Sequence, residues 1–351
     1  MFRLACDSRL ARHVRIRALC VASRLRDPRF FGADGQRIAP DLSLVVVPGS
    51  TGRVGTDEPL PQREPKRVPS SSPVEVTVTP FEVSRFPVTN QEYRLFLEAG
   101  GYHDPRWWAG AEAARWRTQD ADFVDELVRL WEERKNLDFG KEFREREFAR
   151  YAGESQRVAR RIMRRDRPLF WEDARFDLPT APVVGVNLWE AQAYCRWFQE
   201  RLRSRDLIGP ADEVRVPTEI EWEWAAGAYW TGTRRETNPA KCLTRDFTAG
   251  GTATITHFGA IPVGFFSLGG PVPQQPEDMA GNVWEWVSSR SLPWTTAEDR
   301  EALGGMAERG VRGGSWYSSE PLATHVSFRL NDVPCNAYWD LGFRIVVRRA
   351  R

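Results

Sequence analysis

The sequence is short of the residues that most often carry chemistry by themselves. Its five cysteines, Cys6, Cys20, Cys195, Cys242 and Cys335, are odd in number and scattered, with no CxxC among them. This argues against a disulfide framework and against a cysteine-based zinc site. The four histidines, His13, His103, His257 and His325, form no HExxH or HxxxH spacing. No apolar run approaches the ~20 residues that a membrane-spanning helix needs. Charge of one sign is lacking too. The formal net charge is +2, so no overall field points to DNA or to a membrane as partner. Lysine is scarce, 4 residues against 46 arginines, for which a GC-rich genome is the simplest account. The N-terminal stretch MFRLACDSRLARHVRIRALCVASRLRD is interrupted by charges every few residues and has no apolar core of a secretory signal. These absences together lead us to expect a soluble, cytoplasmic protein with no nucleic-acid partner and no membrane span.

What is present is apolar and aromatic. Hydrophobic residues make up 41% of 351 residues, and 15 are tryptophan. That is enough for a full core, in one large domain or two ordinary ones. Residues 1–41 read as a short, basic, partly helical lead-in. LSLVVVPGS, from Leu42, predicts a strand and turn, and the Pro- and Ser-rich stretch that follows predicts a surface loop. In VEVTVTPFEVSRF, Val74, Val76 and Val78 alternate with Glu75, Thr77 and Thr79, a strand signal through Phe86. Three helices are announced by their caps: Thr89 with Glu92, Asn187 ahead of an apolar face that includes Cys195, and Thr218 with Glu221. Cys195 on that face reads as a small core residue. Residues 103–176 are Trp-rich and heavily charged, and read as a helical insertion on the domain edge. After Ala226 little helix is expected, and a last strand is predicted at Phe343–Val347.

Four segments occur in order: FEVSRFPVTNQEYRLFL, PVVGVNLWEAQAYCRWF, VRVPTEIEWEWAAG and DMAGNVWEWVSS. VRGGSW and LGFRIV follow. The series resembles the formylglycine-generating enzyme, or sulfatase-modifying factor, family over residues 42–351. The resemblance implies an α+β, C-type-lectin-like fold of the formylglycine-generating-enzyme type, with little regular secondary structure. It also implies that tryptophans fill the core and glycines the tight turns. The oxidising members use two cysteines after the GGS segment to hold copper through soft thiolates. Those positions fall here at about Ser318 and Ala323. The iron-dependent branch needs a cluster of three histidines, which this sequence lacks. The resemblance therefore leads us to expect no copper, no iron and no enzyme. Family members also hold Ca²⁺ on the DMAGNVWEW turn. Carried over, the ligands would be Asp278, Gly281, Val283 and Glu285, hard oxygen donors of the type calcium requires, in a structural role.

The segment RGGSWYSSEPLATHVSFRLNDVPCNAYWDLGFR, residues 312–344, has fixed-looking ends and a miscellaneous middle. It is similar in place and framing to the variable region of retroelement-diversified proteins of this fold, whose C-terminal codons are rewritten at template adenines. Asn codons rewritten this way reach Tyr, Ser, His, Phe, Leu, Asp, Val, Cys, Ala, Thr, Pro and Asn. Nearly every residue between Trp316 and Gly342 belongs to that set; Glu320 and Trp339 do not. The expected recognition surface is Tyr317, Ser318, Ser319, His325, Phe328, Leu330, Asn331, Asp332, Val333, Asn336, Tyr338, Trp339 and Asp340, with Ser327 and Arg329 as inward or bridging residues. Flat aromatics with small polar groups are the vocabulary of antibody paratopes. The resulting expectation is a non-catalytic binding protein displaying a diversified surface to a protein or other macromolecular ligand. Two alternatives stay open: an undiversified binding or regulatory module, and a metal-dependent oxidoreductase with an unrecognised site.

Overall fold

The computed structural model describes residues 1–25, 27–30, 44–56, 73–134, 163, 165–229, 259–268, 275–290, 306–318 and 321–350. Among them the helices are α1 (Phe2–Cys6), α2 (Arg12–Arg24), α3 (Asn90–Glu98), α4 (Ala111–Arg117), α5 (Ala121–Arg134), α6 (Leu188–Arg203) and α7 (Glu219–Tyr229). The strands are β1 (Leu44–Val47), β2 (Ser50–Val54), β3 (Val74–Val78), β4 (Phe81–Ser84), β5 (Glu213–Arg215), β6 (Trp284–Arg290), β7 (Arg309–Arg312), β8 (Arg329–Asp332), β9 (Leu341–Gly342) and β10 (Val346–Arg348). Elements are short and both kinds are present, as the α+β reading implies.

The helices begin where their caps predict. Thr89 N–H donates to Glu92 Oε2 at 2.7 Å, and Thr89 and Glu92 close a capping box at α3. At α6, Glu190 N–H donates to Asn187 Oδ1 at 2.9 Å and Asn187 N–H donates to Glu190 Oε2 at 2.6 Å. Such caps each contribute about 1 kcal/mol. The two helices meet through aromatic rings. Tyr93 of α3 stacks on Tyr194 of α6 at 5.4 Å, and Phe96 lies 5.7 Å from Trp197. Cys195 is buried in the same core. Glu190 also accepts from Tyr102 Oη at 2.5 Å and pairs with Arg165, a residue of the insertion whose side chain is buried. The cap of α6 is thus completed by chain from 25 residues upstream. Most of the insertion's second half, residues 135–162 and 164, lies outside the described residues.

The described residues form three sheets, in the orders β1-β4-β10-β5, β2-β3 and β8-β7-β6-β9. The strand predicted from Val74 through Phe86 is two strands, broken at Thr79-Pro80, because proline offers no N–H to a ladder. Residues Ser50–Val54, read partly as loop, pair antiparallel with Val74–Val78 instead. The lead-in is joined to the body. Ile16 and Leu19 of α2 pack with Ile261 and Phe265, and Thr180 Oγ1 shares a 2.8 Å hydrogen bond with Ser23. No helix of the described residues is long and apolar enough to cross a membrane.

Candidate functional site

The C-terminal segment is held at both ends by buried arginines. Arg312 donates to Glu219 Oε1 at 3.1 Å, to Glu223 Oε2 at 2.6 Å and to the Val326 carbonyl at 2.7 Å. Its guanidinium also lies over the Trp222 ring, at 5.2 Å. Arg344 donates to both oxygens of Glu285, at 2.6 and 2.8 Å, and to the Glu277 carbonyl at 3.0 Å. Both arginine side chains are fully buried. The double glycine has a geometric reason. Gly313 and Gly314 sit at φ +96° and +74°, and a Cβ at Gly314 would come 2.8 Å from the Ala323 carbonyl oxygen. Only glycine takes both positions without strain.

Residues 277–284 form the turn against which the segment lies. Gly281 N–H donates to the Gly313 carbonyl at 2.7 Å, Trp316 N–H to the Asn282 carbonyl at 2.9 Å, and Trp284 N–H to the Asp340 carbonyl at 2.7 Å. The calcium set expected here does not fit. Both oxygens of Glu285 are taken by Arg344, and Oε2 also accepts from Trp222 Nε1 at 2.8 Å, so its charge is already neutralised. The Gly281 carbonyl accepts from Val283 N–H at 2.9 Å. Asp278 Oδ2 accepts from Gly264 N–H at 3.0 Å. Among the described residues no group of three or more His, Cys, Asp or Glu could hold a metal ion. Asp278 is buried, its Oδ1 has no partner, and loss of water pushes its carboxyl up to about 6. Burial likewise raises Glu277, to about 7. We therefore derive no role for calcium.

Between the fixed ends, the expected recognition residues divide. Tyr317, Ser318, Asn331, Asn336 and Tyr338 are half-buried, at the rim of the fold. His325, Phe328, Leu330, Asp332, Val333, Trp339 and Asp340 are buried, so the expectation of a wholly displayed surface is corrected for these seven. The reason is packing. Phe328 lies 6.1 Å from the Trp284 ring, Leu330 and Val333 join the main core, and Trp339 packs on Trp316 at 6.2 Å. His325 Nδ1 accepts from Ser327 N–H at 3.1 Å, a local turn contact. Ser319 lies outside the described residues. Ser327 and Arg329 do face inward: Ser327 donates to Glu223 at 3.1 Å and Arg329 pairs with Glu219 at 2.9 Å.

The fold brings several of these residues together. Tyr317 and Trp339 meet edge to face at 5.3 Å. Ser315 Oγ bonds both Ser318 Oγ, at 3.3 Å, and Asp340, at 2.7 Å. Asn336 Nδ2 donates to Asp332 Oδ1 at 2.5 Å and to Tyr338 Oη at 3.0 Å. Burial pushes Asp332 and Asp340 each up to about 6, against the opposing hydrogen bonds from Asn336 and Ser315. Three polar atoms in this set have no hydrogen-bond partner although they are cut off from water: Asn331 Oδ1, Asn331 Nδ2 and Asp332 Oδ2. The sequence reading missed the arginine clamps. The signal for one was present, since Glu219 and Glu223 stand four apart on α7 and share one face.

Residues 34–349 match the family described as sulfatase-modifying factor enzyme 1-like domain. The chain is 30% identical over 320 residues to inactive C-alpha-formylglycine-generating enzyme 2 of Mus musculus, covering 87% of this chain and 86% of that protein. It is 29% identical over 337 residues to hercynine oxygenase of Mycolicibacterium smegmatis, covering 86% of this chain and 60% of the oxygenase. The solved structure of PvdO from Pseudomonas aeruginosa shares the fold at TM-score 0.52 and 19% identity, over 87% of this chain and 94% of that one. The expectation that the protein is no enzyme is overturned by the oxygenase match, which runs along most of this chain.

Proposed function

Because the chain belongs to the sulfatase-modifying factor enzyme 1-like domain family, we propose that it holds a ligand at the rim of its C-terminal segment, with Tyr317, Ser318, Asn331, Asn336 and Tyr338 as the contact residues. The observation that carries this reading is the half-buried Asn331, whose amide has no partner at either end. A buried polar atom left without a partner costs about 1–3 kcal/mol, and a ligand that draws this amide out of its burial and offers it both a donor and an acceptor would remove that cost. Tyr317 and Tyr338, both half-buried, supply flat aromatic surface in the same segment. The ligand is a protein or other macromolecule, and the segment is diversified at its codons in the manner of retroelement variable regions. Its position between RGGSW and GFR and its codon-reachable composition support that part. Deep sequencing of the locus in a source population tests it. Adenine-templated variation should fall on codons 317, 318, 331, 336 and 338 and spare the buried ones. An invariant segment with no template copy beside it overturns diversification.

A second reading is favoured by the match to hercynine oxygenase: a metal-dependent oxidoreductase in which the same rim holds the substrate. Copper held by two thiolates is not open to this chain, which has Ser318 and Ala323 at the implied positions and only Cys335 downstream in the segment. Metal analysis of the purified protein, followed by oxygen consumption with the metal found, tests that reading. A stoichiometric redox metal with oxygen uptake would establish it.

A further inference from the structure

We propose that the cavity between α6 and β5 binds a small organic anion, a molecule whose carboxylate or phosphate is received by Arg203 and by the amides of Gln192 and Gln199. The cavity has a volume of about 470 Å³. A single water occupies only ~30 Å³, and ligand pockets run to ~300–1,000 Å³. The space therefore suits a molecule larger than one bare anion.

One stripe of α6 lines it. Gln192, Cys195, Arg196, Gln199 and Arg203 are spaced by three, one, three and four residues, which places them on a single helix face. A helix face turned to a strand is ordinarily apolar. Here it carries donors with too few acceptors. Arg203 spends its NH2 group on the Pro210 and Asp212 carbonyls, at 2.7 and 2.9 Å. Its Nε is buried and has no partner. Gln199 Oε1 accepts from Val214 N–H at 2.8 Å, and its amide lines the cavity.

The acids of the opposite wall do not answer this surplus. Asp212 accepts from Gly209 N–H at 2.8 Å, Ala350 N–H at 2.7 Å and Arg349 at 3.2 Å, and these bonds hold its carboxyl below the usual range. Glu213 sits at the exposed rim and pairs with Arg215 at 3.3 Å. Arg215 is itself committed to both oxygens of Glu221, at 2.7 and 2.9 Å. What remains facing the cavity is the positive charge of Arg203 with the amides of Gln192 and Gln199. Guanidinium forks match the oxygens of carboxylate and phosphate, and charge-assisted hydrogen bonds to them are the strong ones. The one carboxylate not fully committed, Glu213, stands at the exposed rim, and an apolar ligand would strand the donors. The cavity shares no lining residue with the C-terminal segment, so it stands or falls apart from the reading given for that segment.

The test is calorimetric titration of the full chain with inorganic phosphate and, separately, with citrate, at one fixed ionic strength. The expected result is saturable binding of at least one of them, weakened tenfold or more by Arg203→Gln. Arg201→Gln should bind as the wild type does, because that guanidinium lies over the Trp197 ring instead. Preference for citrate assigns a carboxylate ligand, and preference for phosphate a phosphorylated one. Gln192→Leu, at a half-buried position, should weaken binding several-fold and keeps the test usable if Arg203→Gln fails to fold. Equal binding by wild type, Arg203→Gln and Gln192→Leu, or no saturable binding of either anion by the wild type, overturns the proposal.

Discussion

The two ends of the C-terminal segment and its middle obey opposite rules. At the ends, Arg312 and Arg344 are buried with their charges answered by Glu219, Glu223 and Glu285 at 2.6–3.1 Å, and only the Arg312 Nε is left without a partner. In the middle, Asn331 and Asp332 are cut off from water with polar atoms left unanswered. The first arrangement serves the fold, because buried charge is tolerated only when it is paired. The second works against the fold, and residues that work against the fold are where binding is to be sought. On the proposed reading, recognition is not spread over a displayed loop but concentrated where a locked frame leaves a few polar groups incomplete.

The largest effect should come from breaking the frame. Arg344→Met leaves Glu285 charged and buried without its counterion, and should lower stability by about 3–5 kcal/mol. Urea denaturation measures this, and adding Glu285→Gln to the variant should restore a large part of the loss. If Arg344→Met costs less than about 1 kcal/mol, the ends are not the lock described here and the contrast with the middle disappears.

Much of the frame could be read from the sequence. Thr89, Asn187 and Thr218 with their partners three residues on fixed three helix starts, because a capping box is a local pattern with a local cause. Val74, Val76 and Val78 gave β3 for the same reason. What could not be read is long-range. Glu285 looks like a calcium ligand when only its own turn is considered. Its real partner, Arg344, is 59 residues away. The burial of Phe328, Leu330 and Trp339 was hidden in another way. Codon reach says which residues a position can hold and nothing about which way the chain turns it. For Leu330 the strand pairing of Arg309–Arg312 with Arg329–Asp332 decides that, and it joins residues about 20 positions apart.

A smaller effect, of opposite sign, is expected in the middle. The folded state raises the Asp332 carboxyl to about 6 because burial disfavours its ionised form. A carboxyl raised on folding binds its proton more tightly in the folded chain than in the unfolded one. Its contribution is therefore favourable at low pH and is lost as pH rises from about 4 through about 6. Asp332→Asn removes the ionisation and keeps an oxygen for Val333 N–H and for Asn336. It should raise stability at pH 7 by about 1–3 kcal/mol and change little at pH 4. Thermal unfolding at both pH values checks this. Equal shifts at the two would mean that the ionised carboxylate is not what burdens the fold.

The smallest effect is expected at Asn331, and its size is the sharpest test of the comparison. A buried, hydrogen-bonded asparagine normally costs about 1 kcal/mol or more to truncate. Neither end of the Asn331 amide has a partner, so the desolvation relieved by Asn331→Ala should offset the packing it loses, and stability should stay within about 0.5 kcal/mol of wild type or rise slightly. The measurement is denaturant unfolding with the midpoint compared at equal slope. If stability holds, the amide contributes nothing to the free fold, as expected of a position left open to variation for a ligand. If stability falls by more than about 1 kcal/mol, Asn331 belongs with the arginines at the ends. The middle of the segment would then be as fully committed to the fold as its frame.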